Sequence, residues 1–523
     1  MKFVDATAFR EYEASRIAAS GDAGFEGRLV AHAGRHLAAR LAMLLAEMGL
    51  QRSAGILFFV GKGNNGADAL AAACELHNAG YRTAIRATAP VPAETSADGA
   101  TPYAAYAAMA RESGMPFEVL ASPDEWDDFH PLDAGLNAVW VDALLGTGAK
   151  GAPRGAVAAA IRAINARPAS VPVVAVDLPS GLDPATGEPA PGATVRADYT
   201  LCMAYAKSCL ATATSRAWAG TVETAPMPEL DGDGVPPASP GNLRLIEPGD
   251  LAPLFRPRPR AAHKGSCGKV LVVGGSPLYP GALVLAADAA NRSGAGLVCA
   301  STSPAAVVAI LARCPGVIAR DDLYGDIQLA GHDAILCGPG LGRDAEARRV
   351  LATLIHETPA PLVLDADALT LLGGKLDVLL ACPRPLVLTP HAAEAASLLG
   401  TTPSGILADR QAAAAEIARR ANATVVLKGD ATLVASPGEP YLWVNLNGNP
   451  GMATGGSGDI LAGVLAGLIG QGMPTPDAAR AAVWLHGAAG DIAARRHGEL
   501  SLRASDLCDF LPVAFRSLHR PLA

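Results

Sequence analysis

The chain has 523 residues, half of them apolar and 18% charged, a composition that suits well-buried sheets and excludes a disordered or fibrous protein. A formal charge of −8 without any Lys/Arg block excludes general affinity for nucleic acid or anionic lipid, so an anionic ligand needs a site of its own. Nine cysteines stand singly with no CxxC pair, and Asp5, Glu11 and Glu13 stand where a basic leader would be. With no apolar run reaching the ~20 residues of a membrane span, the expectation is a cytoplasmic protein in a reducing compartment, without structural zinc.

Short β-branched or aromatic runs alternate with alanine-rich helical stretches through both halves, the pattern of α/β domains with parallel sheets. At roughly 150 residues per domain the length alone predicts about three domains, but the motifs argue for two large ones. In the first half the clearest strands are Ile56–Val60, Ala138–Asp142 and Val173–Asp177, each ending in a polar or glycine-rich turn, and ligands bind at such carboxyl ends. The first runs into Gly61-Lys62-Gly63-Asn64-Asn65-Gly66-Ala67-Asp68, with an apolar helix pattern from Ala69 onward. Free amides and the positive end of the helix dipole favour an anion there, and glycine allows close backbone approach. No Gly-Lys-Ser/Thr follows, so this is not a Walker A loop; a plain strand-to-helix turn is the alternative. The other turns are Val141-Asp142-Ala143-Leu144-Leu145-Gly146-Thr147-Gly148 and Val176-Asp177-Leu178-Pro179-Ser180-Gly181-Leu182-Asp183. Either Asp alone could simply cap a turn. Three turns presenting Asn, Asp and Ser together favour a site.

These turns resemble the NAD(P)H-hydrate epimerases, over about Phe3 to Pro228. The resemblance implies that residues 1–228 form a Rossmann-like three-layer α/β/α sandwich that interconverts the R and S epimers of hydrated NAD(P)H. It implies that Asn64, Asn65, Gly66, Ala67 and Asp68, with Gly146, Thr147, Gly148, Ala149, Lys150, Gly151 and Ala152, line the hydrated dinucleotide. By the same likeness Asn65, Asp142 and Ser180 hold a potassium ion, and Asp177 contacts the damaged ring and transfers protons. Oxygen-only ligation is consistent with a weakly hydrated alkali cation. The family usually has Gly where this chain has Ala67, which bars glycine-only backbone angles there.

Between Pro226 and Pro253 the composition turns to Pro, Gly and Asp with little periodicity, which predicts a linker at 229–250. The alternation then restarts with strands at Lys269–Val273, Gly296–Ala300, Ala334–Cys337, Leu362–Asp365, Leu386–Thr389 and Thr424–Leu427, and helices such as Gly281–Ser293 and Ala408–Arg420. The densest motif is the run from Asn445 to Asp459, ending Gly455-Gly456-Ser457-Gly458-Asp459 before a helical pattern from Ile460. Amides from Gly456 to Gly458 suit an anion hole for a phosphoryl group, each donor contributing ~2.7–4 kcal/mol in a preorganised site. Asp459 beside it is placed to take a proton from an attacking hydroxyl; the alternative is a loop with Asp459 as helix N-cap. Lys428-Gly429-Asp430-Ala431-Thr432 closes one strand and opens another, a turn suited to gripping a nucleotide phosphate. Thr389-Pro390-His391-Ala392-Ala393-Glu394 and Gly338-Pro339-Gly340-Leu341-Gly342 follow two further strands.

These motifs resemble the ribokinase-like superfamily, and within it the ADP/ATP-dependent NAD(P)H-hydrate dehydratases, over about Leu251 to Phe515, which implies a domain at residues 251–523. The resemblance implies a ribokinase-like α/β domain in which Lys428, Gly429, Asp430, Ala431, Thr432 and Gly458 bind ADP. Ala282, Gly342 and His391 would contact the hydrate, and Asp459 would be the base. ADP would phosphorylate the ring hydroxyl, and loss of phosphate would return NAD(P)H and leave AMP, with magnesium accompanying the nucleotide. The expected partners are NADHX, NADPHX and ADP, and the assembly a homo-oligomer. Two other readings are a vitamin-precursor kinase on the same fold and an N-terminal half that only binds a dinucleotide. The pairing of two such sites favours repair of both epimers.

Overall fold

The computed structural model describes residues 3–91, 101–127, 129, 138–231, 235 and 243–518. The chain divides into two units at the Asn242/Leu243 junction. In the first unit, β1 (Gly55–Val60), β2 (Arg82–Ala87), β3 (Phe117–Val119), β4 (Val139–Ala143), β5 (Val173–Val176), β6 (Tyr199–Met203) and β7 (Thr221–Ala225) form one sheet. Its order is β3-β2-β1-β4-β5-β6-β7 and every neighbouring pair is parallel. Strand β1 is buried along its whole length, as a strand covered on both faces must be. Ile56, Phe58 and Val60 pack on the helices Phe25–Glu47, Asn64–Asn78 and Pro102–Glu112. Leu57 and Phe59 face the other way, toward the helix Gly155–Asn165, so the unit has three layers. Strand order reverses between β1 and β4, and the turns after β1, β4 and β5 meet at the carboxyl edge beside that switch.

The second unit contains β8 (Leu243–Leu245), β9 (Lys269–Val273), β10 (Leu297–Ser301), β11 (Ile318–Arg320), β12 (Ala334–Cys337), β13 (Leu362–Leu364), β14 (Leu386–Leu388), β15 (Thr424–Leu427), β16 (Thr432–Ala435) and β17 (Leu442–Asn445). They run in the order β11-β10-β9-β12-β13-β14-β15-β16-β17-β8, parallel except where β16 lies antiparallel to β15 and β17. Helix Ser457–Gly470 crosses Pro280–Arg292 closely enough that a Cβ on Gly463 would come 2.2 Å from the Ala286 carbonyl oxygen, so that crossing requires glycine.

The expected strands agree with these to within a residue or two. The helices begin earlier than their apolar patterns do, at Asn64 rather than Ala69 and at Ser457 rather than Ile460, because their first turns are polar and glycine-rich. Within the expected linker, 232–234 and 236–242 lie outside the described residues. Leu243–Leu245 is no linker: it pairs with β17 as an edge strand, too short to show an alternating pattern. The cysteines are free thiols, with Cys267 and Cys382 half-buried and the others buried. Among the described residues no helix is long and apolar enough to cross a membrane.

Candidate active sites

Helix Asn64–Asn78 leaves β1 through Gly63, an extended N-cap without a side-chain acceptor, so its first-turn amides stay open for a ligand. Asn64, Asn65, Gly66, Ala67 and Asp68 therefore belong to the helix rather than to a loop, and Ala67 has no need of a left-handed backbone. The Asn65 amide nitrogen donates to the carbonyls of Leu145 (3.1 Å) and Val176 (2.7 Å), tying together the turns after β1, β4 and β5. Asn65 Oδ1 faces Gly146, where a Cβ would lie 2.5 Å away. Asp142 is fully buried and accepts from Ser180 Oγ (2.6 Å), the Ser180 amide (2.8 Å) and the Leu144 amide (3.3 Å). Burial pushes its carboxyl up to about 6, against the pull of the Ser180 bonds. Ser180 Oγ in turn accepts from the Leu145 amide at 2.9 Å, so Asn65, Asp142 and Ser180 converge on one stretch of main chain. The segment Thr147, Gly148, Ala149, Lys150, Gly151 and Ala152 forms a half-buried to exposed lip beside it.

Asp177 holds a left-handed backbone (φ 68°), a conformation that costs a non-glycine residue of order 1–3 kcal/mol and concentrates at functional sites. Its carboxylate accepts from the Met203 amide (3.1 Å) and pairs with the ammonium of Lys207, which is only 1% exposed and also donates to the Met203 carbonyl (3.0 Å). Burial, the largest single influence, lowers the Lys207 pKa, but the charge and hydrogen bond of Asp177 together with the charges of Cys202 and Glu13 outweigh it and leave the pKa raised. Glu13, on helix Ala6–Ser20, and Asp68 complete the cluster. Burial first, and then the charge of Asp177, push the Glu13 carboxyl up; burial, Glu13 and Asp177 push Asp68 well up. Sequence reading did not find Lys207 or Glu13. The only signal is a lone lysine in the apolar run Ala204-Tyr205-Ala206-Lys207-Ser208-Cys209-Leu210.

In the second unit the glycine-rich motif delivers Gly456 as the N-cap of Ser457–Gly470, with φ 94°, and Asp459 in the first turn. Asp459 is thus not the cap. Lys428 donates to Asp365 Oδ1 (2.7 Å) and lies 3.7 Å from Glu394 Oε2, while Thr389 Oγ1 holds the same Asp365 oxygen at 2.7 Å. A Cβ on Gly458 would sit 3.4 Å from Lys428 Nζ, so this lysine lies against the helix start. Gly429 and Asp430 are exposed, Thr432 is half-buried and Ala431 buried; the Arg410 guanidinium covers Gly429 and reaches Asp430 at 3.3 Å. Burial, then the charges of Asp365, Asp367 and Glu394, push Asp459 up to about 8 against the opposing charge of Lys428. Asp367 accepts from the Gly342 amide (3.0 Å) and Arg343 (2.7 Å).

His391 caps helix Ala392–Leu399 through Nδ1 and lies with Nε2 3.5 Å from Glu394, which brings it to the same cluster. Ala282 stands in the first turn of Pro280–Arg292, after a loop whose Ser276 amide donates to the Gly340 carbonyl at 2.7 Å. Two groups here had no sequence signal. Arg410 is one, and the other is His486, whose Nε2 lies 2.9 Å from the Ser457 carbonyl oxygen and whose pKa burial pulls down to about 4.

A family model described as NAD(P)H-hydrate dehydratase matches residues 270–513, and one described as YjeF-related protein N-terminus matches residues 26–209. A bifunctional NAD(P)H-hydrate repair enzyme of Moorella thermoacetica is 40% identical over 482 residues, 88% of each chain. Its counterpart in Escherichia coli is 34% identical over 460 residues, 86% of this chain and 83% of that one. An ADP/ATP-dependent NAD(P)H-hydrate dehydratase from Bacillus subtilis, crystallised with ATP and Mg2+, is 29% identical, covers 53% of this chain and 98% of its own, and superposes with a TM-score of 0.48.

Proposed function

Because the chain belongs to the family of bifunctional NAD(P)H-hydrate repair enzymes, we propose that its two carboxylate clusters divide the repair, the first epimerising the hydrate and the second dehydrating the S form with ADP. The observation that carries the reading is that each unit sets a carboxylate beside a lysine at the carboxyl edge of its sheet, the buried Asp177 with Lys207 and the half-buried Asp459 with Lys428. Such groups suit proton transfer in a site that excludes water.

In the first site Asp177, fixed by Lys207, takes the proton of the ring hydroxyl so that the carbinolamine opens and recloses on its other face. Asn64, Asn65, Gly66, Ala67 and Asp68 and the lip from Gly146 to Ala152 bind the dinucleotide, with the open amides of the helix start meeting its phosphates. Asn65, Asp142 and Ser180 offer only oxygen for a cation, and potassium fits such a donor set. Held by these residues, potassium would supply a positive charge favouring the ionised form of the buried Asp142. Epimerisation is expected to fall several-fold when potassium is replaced by tetramethylammonium, and Asp142→Asn is expected to lose that dependence. Equal rates of the parent protein in the two salts count against the cation.

In the second site Gly458 and the turn of Lys428, Gly429, Asp430, Ala431 and Thr432 hold ADP with its magnesium, Arg410 adding a charge over Gly429. Ala282, Gly342 and His391 hold the hydrate. Asp459 takes the proton of the ring hydroxyl as its oxygen attacks the terminal phosphoryl group, AMP departs, and the ring nitrogen lone pair then expels phosphate. A base must be ionised, so kcat/KM for dehydration is expected to rise with pH through about 8, the value of Asp459 in the free protein. Asp367→Asn removes a charge that raises Asp459 and should move that limb to lower pH; a pH-independent kcat/KM would contradict the assignment.

The two-site reading is tested by chromatography of a mixed-epimer hydrate of NADH. Complete conversion to NADH with ADP, and equilibration of the epimers without it, is the expected result. Persistence of the R form with ADP present rules out the epimerase, and phosphorylation of hydroxyethylthiazole with no NADH formed would point to a vitamin kinase.

A further inference from the structure

Ring opening moves two protons, and Asp177 accounts for one. When the hydroxyl proton leaves, the carbon–oxygen bond becomes a carbonyl, the carbon–nitrogen bond breaks, and its electron pair passes to the ring nitrogen, which needs a proton of its own. A carboxylate paired with a buried ammonium, as Asp177 is with Lys207, is a base and not a donor. A second group, protonated at working pH, has to stand in the same cluster.

Asp68 has these properties. It is only 9% exposed, and neither carboxyl oxygen takes part in a hydrogen bond among the described residues. It lies on the helix whose start faces the ligand edge, one turn after Asn65. The groups facing it are Glu13 from helix Ala6–Ser20, Asp177 and Lys207 from the β5 and β6 ends, and Tyr106 from helix Pro102–Glu112. Glu26 in turn faces Glu13, and Cys202 and Cys209 face Lys207. Lys207 is paired with Asp177 and pulls Asp68 down less than burial, Glu13 and Asp177 push it up, so the neutral form of Asp68 is favoured. A carboxylate paired with an ammonium, beside a second carboxyl whose neutral form is favoured, suits a base and acid pair.

We propose that Asp68 is a further catalytic residue of the epimerase, the acid that delivers a proton to the ring nitrogen while Asp177 removes the one on the ring hydroxyl. The inference rests on the reading in which Asp177 faces the hydroxylated carbon. After opening, Asp177 carries a proton and Asp68 does not. Rotation about the carbon–carbon bond next to the aldehyde turns its other face to the nitrogen. On reclosure the nitrogen returns its proton to Asp68 and the new hydroxyl takes one from Asp177, which resets both groups.

The test is epimerisation by the full-length chain carrying Asp68→Asn, with kcat, KM, pH profile and thermal unfolding measured together. The expected result is a kcat lowered by about 10²-fold, the low end of acid–base contributions, with KM little changed. Because an unpaired buried carboxyl costs stability, the variant's Tm should stay level or rise, whereas a structural Asp68 would make it fall. Asp68→Glu should recover part of kcat. An acid must be protonated, so the parent rate should decline at alkaline pH, and Glu13→Gln, which removes a charge that raises Asp68, should bring that decline to lower pH. A retained kcat, a loss confined to KM, or a lowered Tm overturns the proposal. If Asp177→Asn epimerises at the parent rate, the underlying reading fails; if that variant is dead and Asp68→Asn is unimpaired, only the role of Asp68 fails.

Discussion

Asp459→Asn is expected to cut dehydration by about 10²–10⁴-fold, the usual weight of a general base, while epimerisation by the same chain continues at the parent rate. The amide has the size of the carboxyl but cannot accept the hydroxyl proton, and Gly456, Gly458 and Lys428 still frame the helix start around it. Nucleotide affinity should persist for that reason, as measured by equilibrium binding of ADP. Stability supplies an independent check. The folded Asp459 carboxyl sits near 8 against an ordinary 3.8, so the folded state binds the proton more tightly. Its contribution to stability is complete below the unfolded value and is lost as pH rises through about 8. Asparagine carries no charge at any pH, so the variant should unfold at the same or a higher temperature than the parent above pH 8. Dehydration by the variant at the parent rate would remove Asp459 from the mechanism.

The residues that sequence reading located lie in turns that follow strands or in the glycine-rich motif before helix Ser457–Gly470. Asp142, Asp177 and Ser180 follow buried runs whose turns are marked by glycine and proline, and Asp459 follows the densest glycine motif in the chain. What stayed hidden is the set of partners that packing brings from a distance. Lys207 meets Asp177 from 30 positions away and Lys428 meets Asp365 from 63, and no local pattern encodes either pair. Glu13 reads as one more charge on an N-terminal helix until that helix lies over the cleft. Ala67 keeps to the backbone that its side chain allows. It stands out against a glycine-rich family motif, yet it occupies a helical turn, 3% exposed, whose amide bonds to the Gly63 carbonyl at 3.1 Å. Alanine satisfies that backbone without strain, so the substitution gives no physical ground for expecting lost activity.

Asp177→Asn should lower epimerisation by about 10²–10⁴-fold and leave dehydration of the S form intact. A mixture supplied with ADP would then lose its S epimer and retain the R epimer beyond what spontaneous exchange removes. Asparagine tolerates the left-handed backbone at this position. The cost falls instead on Lys207, whose ammonium is left buried without its counter-charge, and breaking such a pair typically destabilises by ~3–5 kcal/mol. A rate loss in the single variant therefore mixes chemistry with weakened folding of the first unit. The double variant Asp177→Asn with Lys207→Met separates them, because it removes both charges at once. If Asp177 is the base, thermal stability should return toward that of the parent while the R epimer still accumulates. Recovery of epimerisation along with stability would mean that the pair serves the fold alone.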